Sequence, residues 1–175
     1  YKMNVAAGVD YMEMGYKASR DLFDPAKFGK YKFCNEEDLQ NIVGENKTEM
    51  KLSVMADVGR TDFRRDIGKK ADSVIDMVRV ACYIYEIPAA IEMIEYCHKM
   101  GYETCVNVMA VSKAKDEDID DALNMLGQSP VDVIYMVDSY GSLYPEQVAE
   151  LTKRYLAAGE KWGKSIGMHA HNNQQ

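Results

Sequence analysis

The chain has 175 residues, of which 47% are hydrophobic, and its formal net charge at pH 7 is −7. This length and apolar content suffice for one sizeable core, and nothing in them requires a second domain. The negative charge and the lack of a basic run argue against nucleic acid or an anionic membrane as the main partner. No apolar run reaches the roughly 18–20 residues that cross a bilayer, and no signal-peptide pattern opens the sequence, so we expect a cytoplasmic protein.

Six short runs rich in valine, isoleucine, methionine and tyrosine recur along the chain and predict β-strands. In chain order they are residues 9–15, 51–58, 73–82, 104–111, 131–137 and 165–171. Segments with helix signals lie between them. A strand followed by a helix, repeated along the chain, is typical of a parallel sheet that is covered by helices.

Three of the connecting segments have the apolar spacing of amphipathic helices. These helices are predicted over residues 87–100, 116–126 and 145–162. Pro88 and Pro145 lie near the first turns of their helices, where proline is tolerated because the first backbone N–H groups have no helical partner. Gly101 and Gly127 follow the other ends and are the expected stop signals.

Polar residues gather where the predicted strands end. They are Glu13, Asp57, Asp138, Ser139, His169, His171 and Asn172. The sequence contains no Gly-x-Gly-x-x-Gly phosphate loop, which would favour a dinucleotide-binding fold. Barrels and open parallel sheets both place their chemistry at the carboxyl ends of the strands, so the residues alone leave these two architectures open.

His169 and His171 stand two residues apart at the end of the last predicted strand. Alternation along a strand sends residues i and i+2 to the same face, so both imidazoles point one way. Two imidazoles suit a divalent transition ion, and a carboxylate often completes such a site. The alternative is that the pair is polar surface filler. Asn172 has the opposite parity and is expected to orient a ligand or bind the loop.

Four segments of the chain form a recognisable set of motifs. They are Asp-Tyr-Met-Glu-Met-Gly-Tyr from Asp10, Met-Val-Arg-Val-Ala from Met77, Val-Asp-Ser-Tyr-Gly-Ser-Leu-Tyr-Pro-Glu-Gln from Val137, and Gly-Met-His-Ala-His-Asn-Asn from Gly167. Together they resemble the pyruvate-carboxyltransferase-like metallolyases, a family that includes the 4-hydroxy-2-oxovalerate aldolases, the lyase that acts on hydroxymethylglutaryl-CoA, and the isopropylmalate and homocitrate synthases. The resemblance implies an α/β fold, a (β/α)8 TIM barrel, with a divalent metal ion held by His169 and His171 at its carboxyl-terminal mouth.

The resemblance also implies that the chain is an interior piece of a larger protein. Family members open with a strand ending in an Arg-Asp pair, whose aspartate is the third metal ligand, and no such pair stands before Val9. The six predicted strands would then be strands two to seven of eight. Residues 1–175 are therefore expected to form a single partial barrel domain without the first and last strands. The family's acid–base residue would lie outside the chain, and the isolated piece is expected to be inactive.

Three residues are candidates for substrate binding under this resemblance: Arg79, Asn107 and Asp138. Arg79 lies in apolar company, and a buried guanidinium needs a carboxylate, which is either the substrate or an internal residue such as Asp57 or Asp138. Asn107 either reaches the barrel mouth or is a satisfied interior amide. Glu13 and Asp138 are also expected to hold ligands and loops in place.

The aldolase branch of the family is favoured because Met-Val-Arg-Val-Ala and Val-Asp-Ser-x-Gly resemble aldolases, whereas the synthases more often carry Asp-Thr-x-Gly. The implied reaction is the cleavage of a 4-hydroxy-2-oxo acid to pyruvate and an aldehyde through a metal-stabilised enolate. One alternative is a Claisen-type synthase that uses acetyl-CoA. The other is a barrel relic that binds metal without turnover.

Manganese is the expected metal, and magnesium, cobalt and zinc remain open alternatives. The expected partner is a small-molecule 2-oxo acid, with no nucleic acid and no membrane. We also expect a homo-oligomer, with a partner dehydrogenase or a fused domain as a further option. The four cysteines, at positions 34, 82, 97 and 105, show no Cys-x-x-Cys spacing and are expected to be reduced, at least partly buried thiols. A free reactive thiol is the alternative.

Overall fold

The computed structural model describes residues 1–171 and Asn173. Within these residues, one sheet contains six strands: β1 Tyr11–Tyr16, β2 Lys51–Asp57, β3 Met77–Tyr83, β4 Glu103–Met109, β5 Val133–Val137 and β6 Ser165–His169. The helices are α1 Lys2–Ala6, α2 Glu36–Val43, α3 Phe63–Asp66, α4 Ile87–Lys99, α5 Asp116–Gln128 and α6 Pro145–Trp162. None of the helices in this described part is both long and apolar enough to cross a membrane.

The strands follow one another in the sheet in chain order, and they run parallel. The register pairs Tyr11 with Lys51 between β1 and β2, and Tyr135 with Gly167 between β5 and β6. Doubly wound sheets reverse their strand order at a switch point, whereas a (β/α) barrel keeps its strands in sequence. The predicted α/β fold is confirmed, and the sequential order is that of a barrel.

The chain divides into two compact units. The first comprises Tyr1–Arg79 and Tyr96–Glu103, and the second comprises Val80–Glu95 and Thr104–Gln175. Each unit has its own fully buried apolar side chains. They include Leu39, Leu52, Ile67 and Ile75 in the first unit, and Ile94, Ile119, Leu126, Ile134, Met136 and Tyr155 in the second.

The predicted start of the third strand, at Ser73, is wrong. β3 begins at Met77 because the preceding residues form a turn, in which the hydroxyl of Ser73 accepts the backbone N–H of Ile75 at 3.1 Å. The carboxylate of Asp76 then accepts the backbone N–H of Leu52 at 2.9 Å. Ile75 is thus buried before the strand begins, and the run belongs to the sheet only from Met77 onward.

The three predicted helices begin where the sequence placed them. α6 also ends at Trp162 as predicted, and Gly163 follows it in the left-handed region with φ of 65°. α5 continues through Gly127, which was predicted to stop it. The reason lies in packing, because a side chain at Gly127 would collide with the indole of Trp162. The lack of a side chain at Gly127 thus leaves room for the indole ring, and the glycine does not end the helix.

The segment between β1 and α2, which the sequence left unassigned, folds back on the end of β1. Lys17 is buried there, and its ammonium donates to the carbonyl of Cys34 at 2.8 Å and pairs with Glu36 at 2.9 Å. Gly15 has φ of 149°, and a side chain at this position would collide with the carbonyl of Tyr31. The end of β1 is thus covered by backbone.

Candidate metal centre

The end of β6 brings the two predicted histidines together. The rings of His169 and His171 stack with their centroids 4.8 Å apart and an angle of 18° between their planes. The regular strand stops at His169, two residues short of the predicted end. Both histidines are exposed, so an ion and a small substrate have access to them.

Asp138, which follows β5, holds both histidines through its backbone. Its N–H donates to the carbonyl of His169 at 3.0 Å, and its own carbonyl lies 2.8 Å from Nδ1 of His171. A carbonyl only accepts hydrogen bonds, so Nδ1 carries the proton. The lone pair of the neutral imidazole is then on Nε2, as in a histidine prepared to bind a metal ion.

The carboxylate of Asp138 shapes the loop that follows it. One oxygen accepts the backbone N–H of Ser142 at 3.1 Å, and the other accepts that of Leu143 at 3.0 Å. Gly141 has φ of 56°, and a Cβ there would lie 2.6 Å from the carbonyl oxygen of His171. Asp138 therefore holds the loop with its carboxylate and both histidines with its backbone, whereas its direct contact with substrate stays a prediction.

Asn107 and Tyr135 lie side by side in the register of β4 and β5. Asn107 is only 2% exposed, and its side-chain oxygen accepts from the thiol of Cys105 at 3.7 Å. It is thus an interior amide, and its contact with substrate stays a prediction. Sequence reasoning missed Tyr135, whose ring lies over Gly167, two residues before His169. The available signal was a glycine in the middle of the last predicted strand, next to a strand that carries an aromatic residue.

In the first unit, Arg79 pairs with a carboxylate that the sequence did not propose as its partner. Its guanidinium lies 2.5 Å from the carboxylate of Glu13 on β1, and the two side chains are 18% and 29% exposed. Glu13 was expected to hold ligands and loops in place, and this stays a prediction, because the contact seen is its ion pair with Arg79. The pair fixes one orientation of the guanidinium on β3.

The buried thiols are unsuited to nucleophilic catalysis. Burial raises the pKa of the Cys34 thiol to about 11, and those of Cys82 and Cys97 to about 12. A thiol that keeps its proton at neutral pH is a poor nucleophile, because the thiolate is the reactive form. The prediction of free, buried cysteines is confirmed for all four residues.

Among residues 1–171 and Asn173, no group of three or more histidine, cysteine, aspartate or glutamate side chains is placed to hold a metal ion. Two adjacent imidazoles, one with Nε2 available, are a partial donor set that suits a divalent transition ion and calls for a carboxylate. The residues present therefore fit the two-histidine half of the implied site. Asn172, which was expected to orient a ligand, lies outside the described residues.

No protein-family model matches the chain. A 4-hydroxy-2-oxovalerate aldolase of Geobacillus thermodenitrificans is 30% identical over 109 residues, which cover 62% of this chain and 31% of that protein. Another, from Bacillus cereus (strain ATCC 10987 / NRS 248), is 25% identical over 167 residues, which cover 95% of this chain and 47% of that protein. The chain thus spans less than half the length of these two relatives.

Two solved structures share the fold. The N-terminal domain of a candidate aldolase from Bacteroides vulgatus superposes with a TM-score of 0.77 at 22% identity, covering 100% of this chain and 60% of that one. Oxaloacetate acetylhydrolase in complex with oxalate superposes with a TM-score of 0.56 at 10% identity, covering 98% of this chain and 72% of that one. The chain is thus similar in sequence to parts of 4-hydroxy-2-oxovalerate aldolases, and it shares its fold with these two solved structures.

Proposed function

We propose that the protein containing this chain is a divalent-metal-dependent aldolase that cleaves a 4-hydroxy-2-oxo acid to pyruvate and an aldehyde. The observation that carries the proposal is the pair His169 and His171, with Nδ1 of His171 fixed on the carbonyl of Asp138. The aldolases related to the chain support the same reaction class.

His169 and His171 would hold the ion, with manganese as the first choice, and an aspartate outside these residues would be the third protein ligand. When bound, a divalent ion supplies Lewis acidity toward the carboxylate and carbonyl oxygens of a 2-oxo acid. The backbone of Asp138 fixes the imidazole of His171 and the main chain of His169 before any ion arrives, which lowers the cost of assembling the site. The exposure of both histidines leaves room for a substrate.

Arg79, Asn107 and Asp138 stay the proposed substrate-binding residues. For Arg79, the support is that the ion pair with Glu13 holds its guanidinium in one orientation on β3. A planar guanidinium that is already fixed suits the carboxylate of an oxo acid, since little rotational freedom is lost when the two pair. The expected homo-oligomer and partner dehydrogenase remain predictions, and sedimentation of the full-length protein tests the first of them.

The test uses the full-length protein, a panel of 4-hydroxy-2-oxo acids and a coupled assay for pyruvate in the presence of Mn²⁺. A thiol-release assay with acetyl-CoA and several 2-oxo acids runs beside it. Pyruvate release is expected, and His169→Ala or His171→Ala should abolish both it and Mn²⁺ binding in calorimetry. His98→Ala is the matched control, because His98 is the remaining histidine and is exposed on α4.

Thiol release without pyruvate would move the protein to the synthase branch. If neither assay detects product while Mn²⁺ still binds, the alternative of a barrel that binds metal without turnover is favoured. If the two histidine variants bind Mn²⁺ as tightly as the wild type, the ion is held elsewhere and the metal hypothesis fails.

A further inference from the structure

The middle of β6 carries a glycine beneath an aromatic ring. Gly167 lies level with Tyr135 of β5 in the register, and Tyr135 lies level with Asn107 of β4. A Cβ at position 167 would lie 2.5–2.8 Å from three atoms of the Tyr135 ring, so the ring covers the Cα of Gly167. Any residue other than glycine would displace this ring.

The covered glycine lies directly before the metal centre on the same face of the sheet. Gly167 and His169 are two residues apart on one strand, so both face the same side of the sheet and their Cα atoms are roughly 6.6 Å apart. His169 is level with Val137, the residue two positions after Tyr135. His169 is thus paired in the register with a buried valine, and the ring of Tyr135 occupies the space over Gly167, where β6 has no side chain.

We propose that Tyr135 is a positioning residue of the metal centre. Its ring fills the space over Gly167 and limits the rotamers of His169 to those beside His171. The ring acts by its bulk, and the hydroxyl is not required. This inference rests on the proposed function, since it requires that His169 binds the ion.

A purely structural role for the ring is the competing explanation. An aromatic side chain that covers a glycine on an edge strand stabilises pairing between the strands by itself. Both roles predict a loss of stability when the ring is removed or displaced. Only the positioning role predicts weaker metal binding by protein that is still folded.

The experiment measures Mn²⁺ affinity by calorimetry and the thermal unfolding midpoint of the full-length protein and its variants. Tyr135→Ala removes the ring, Gly167→Ala displaces it, and Tyr135→Phe keeps it. We expect the alanine variants to bind Mn²⁺ about tenfold more weakly, the lower end of the loss seen when groups that orient metal ligands are removed. Tyr135→Phe should bind as the wild type does.

Gly127→Ala is the matched control, because it creates the same kind of collision with the ring of Trp162 between α5 and α6. It should lower the unfolding midpoint and leave Mn²⁺ affinity unchanged. The double variant Tyr135→Ala/Gly167→Ala should bind Mn²⁺ like Tyr135→Ala alone, since no ring is left to displace.

Two results would overturn the inference in different ways. If wild-type protein binds Mn²⁺ and Tyr135→Ala binds it equally well, the ring has only a structural role and the proposed function stands. If the wild type binds no Mn²⁺, the proposed function fails and this inference fails with it. If Gly167→Ala does not fold, the Mn²⁺ affinities of Tyr135→Ala and Tyr135→Phe distinguish the positioning role from the structural role.

Discussion

Asp138 supports the candidate metal centre with its backbone and the neighbouring loop with its side chain. The side chain is buried, and each carboxylate oxygen accepts one backbone N–H. Asp138→Ala would leave the N–H groups of Ser142 and Leu143 without acceptors, at about 1–3 kcal/mol each. We therefore expect this substitution to lower the free energy of unfolding, measured in urea, by about 2–6 kcal/mol.

A matched control for this substitution is Asp121→Ala, which removes an exposed carboxylate from α5. Its effect should stay within about 0.5 kcal/mol, as for surface positions in general. Equal stabilities of the two variants would show that the Asp138 carboxylate does not hold the loop.

At the scale of residues, sequence reasoning identified candidate polar residues but not the residues that they contact. Arg79 was recognised as a guanidinium that needs a carboxylate, yet its partner Glu13 follows from the way in which β1 and β3 are placed in the sheet. Tyr135 was missed for a similar reason. Its role depends on being level with Gly167, and register between strands cannot be deduced from one strand alone.

At the scale of elements, local signals located the helices more reliably than the strand boundaries. Helix starts are determined by neighbouring residues, and Pro145 marks the beginning of α6 as predicted. An apolar run only indicates burial, so the run that starts at Ser73 included a turn before β3. Gly127 was misassigned as a helix stop because the need for glycine there comes from the ring of Trp162, which is far away in the sequence.

The contact between α6 and β6 depends on a glycine in the last turn of the helix. A Cβ on Gly159 would lie 2.8 Å from the carbonyl oxygen of Lys164 and 2.7 Å from the side chain of Ile166. A carbonyl cannot move without breaking local backbone geometry, so the methyl group of Gly159→Ala would push the helix from the strand. We expect this variant to lose about 1–3 kcal/mol of unfolding free energy, measured by denaturant titration.

The control for this variant is Ala157→Ser, at an exposed position of the same helix. It should change stability by no more than about 0.5 kcal/mol. The packing argument would be contradicted if Gly159→Ala were as stable as the wild type or more stable, as its higher helix propensity alone would suggest.

At the scale of the whole molecule, the strand–helix alternation predicted parallel strands and could not separate a barrel from an open sheet. The strand order separates them, because β1 to β6 are neighbours in sequence order without a reversal. That order depends on contacts between residues far apart in the chain. The resemblance to the metallolyases supplied it in advance, and the residue pattern alone did not.

Buried thiols make the stability of the whole molecule depend on pH in the alkaline range. Burial raises the pKa of Cys34 to about 11 and those of Cys82 and Cys97 to about 12, from an ordinary value of 9.0. Above pH 9 the unfolded chain therefore loses thiol protons that the folded chain keeps. The folded state then binds more protons, and the free energy of unfolding falls as pH rises.

This stabilisation by the protonated thiols is fully present below about pH 9 and is lost progressively as pH rises toward about 12. Each thiol adds a slope of up to about 1.4 kcal/mol per pH unit in that range. We expect urea unfolding to show a steeper alkaline decline for the wild type than for the triple variant Cys34→Ala/Cys82→Ala/Cys97→Ala. The variant's lost packing lowers its stability at every pH, so the comparison uses slopes. Parallel declines would mean that the thiols ionise as readily in the folded chain as in the unfolded one.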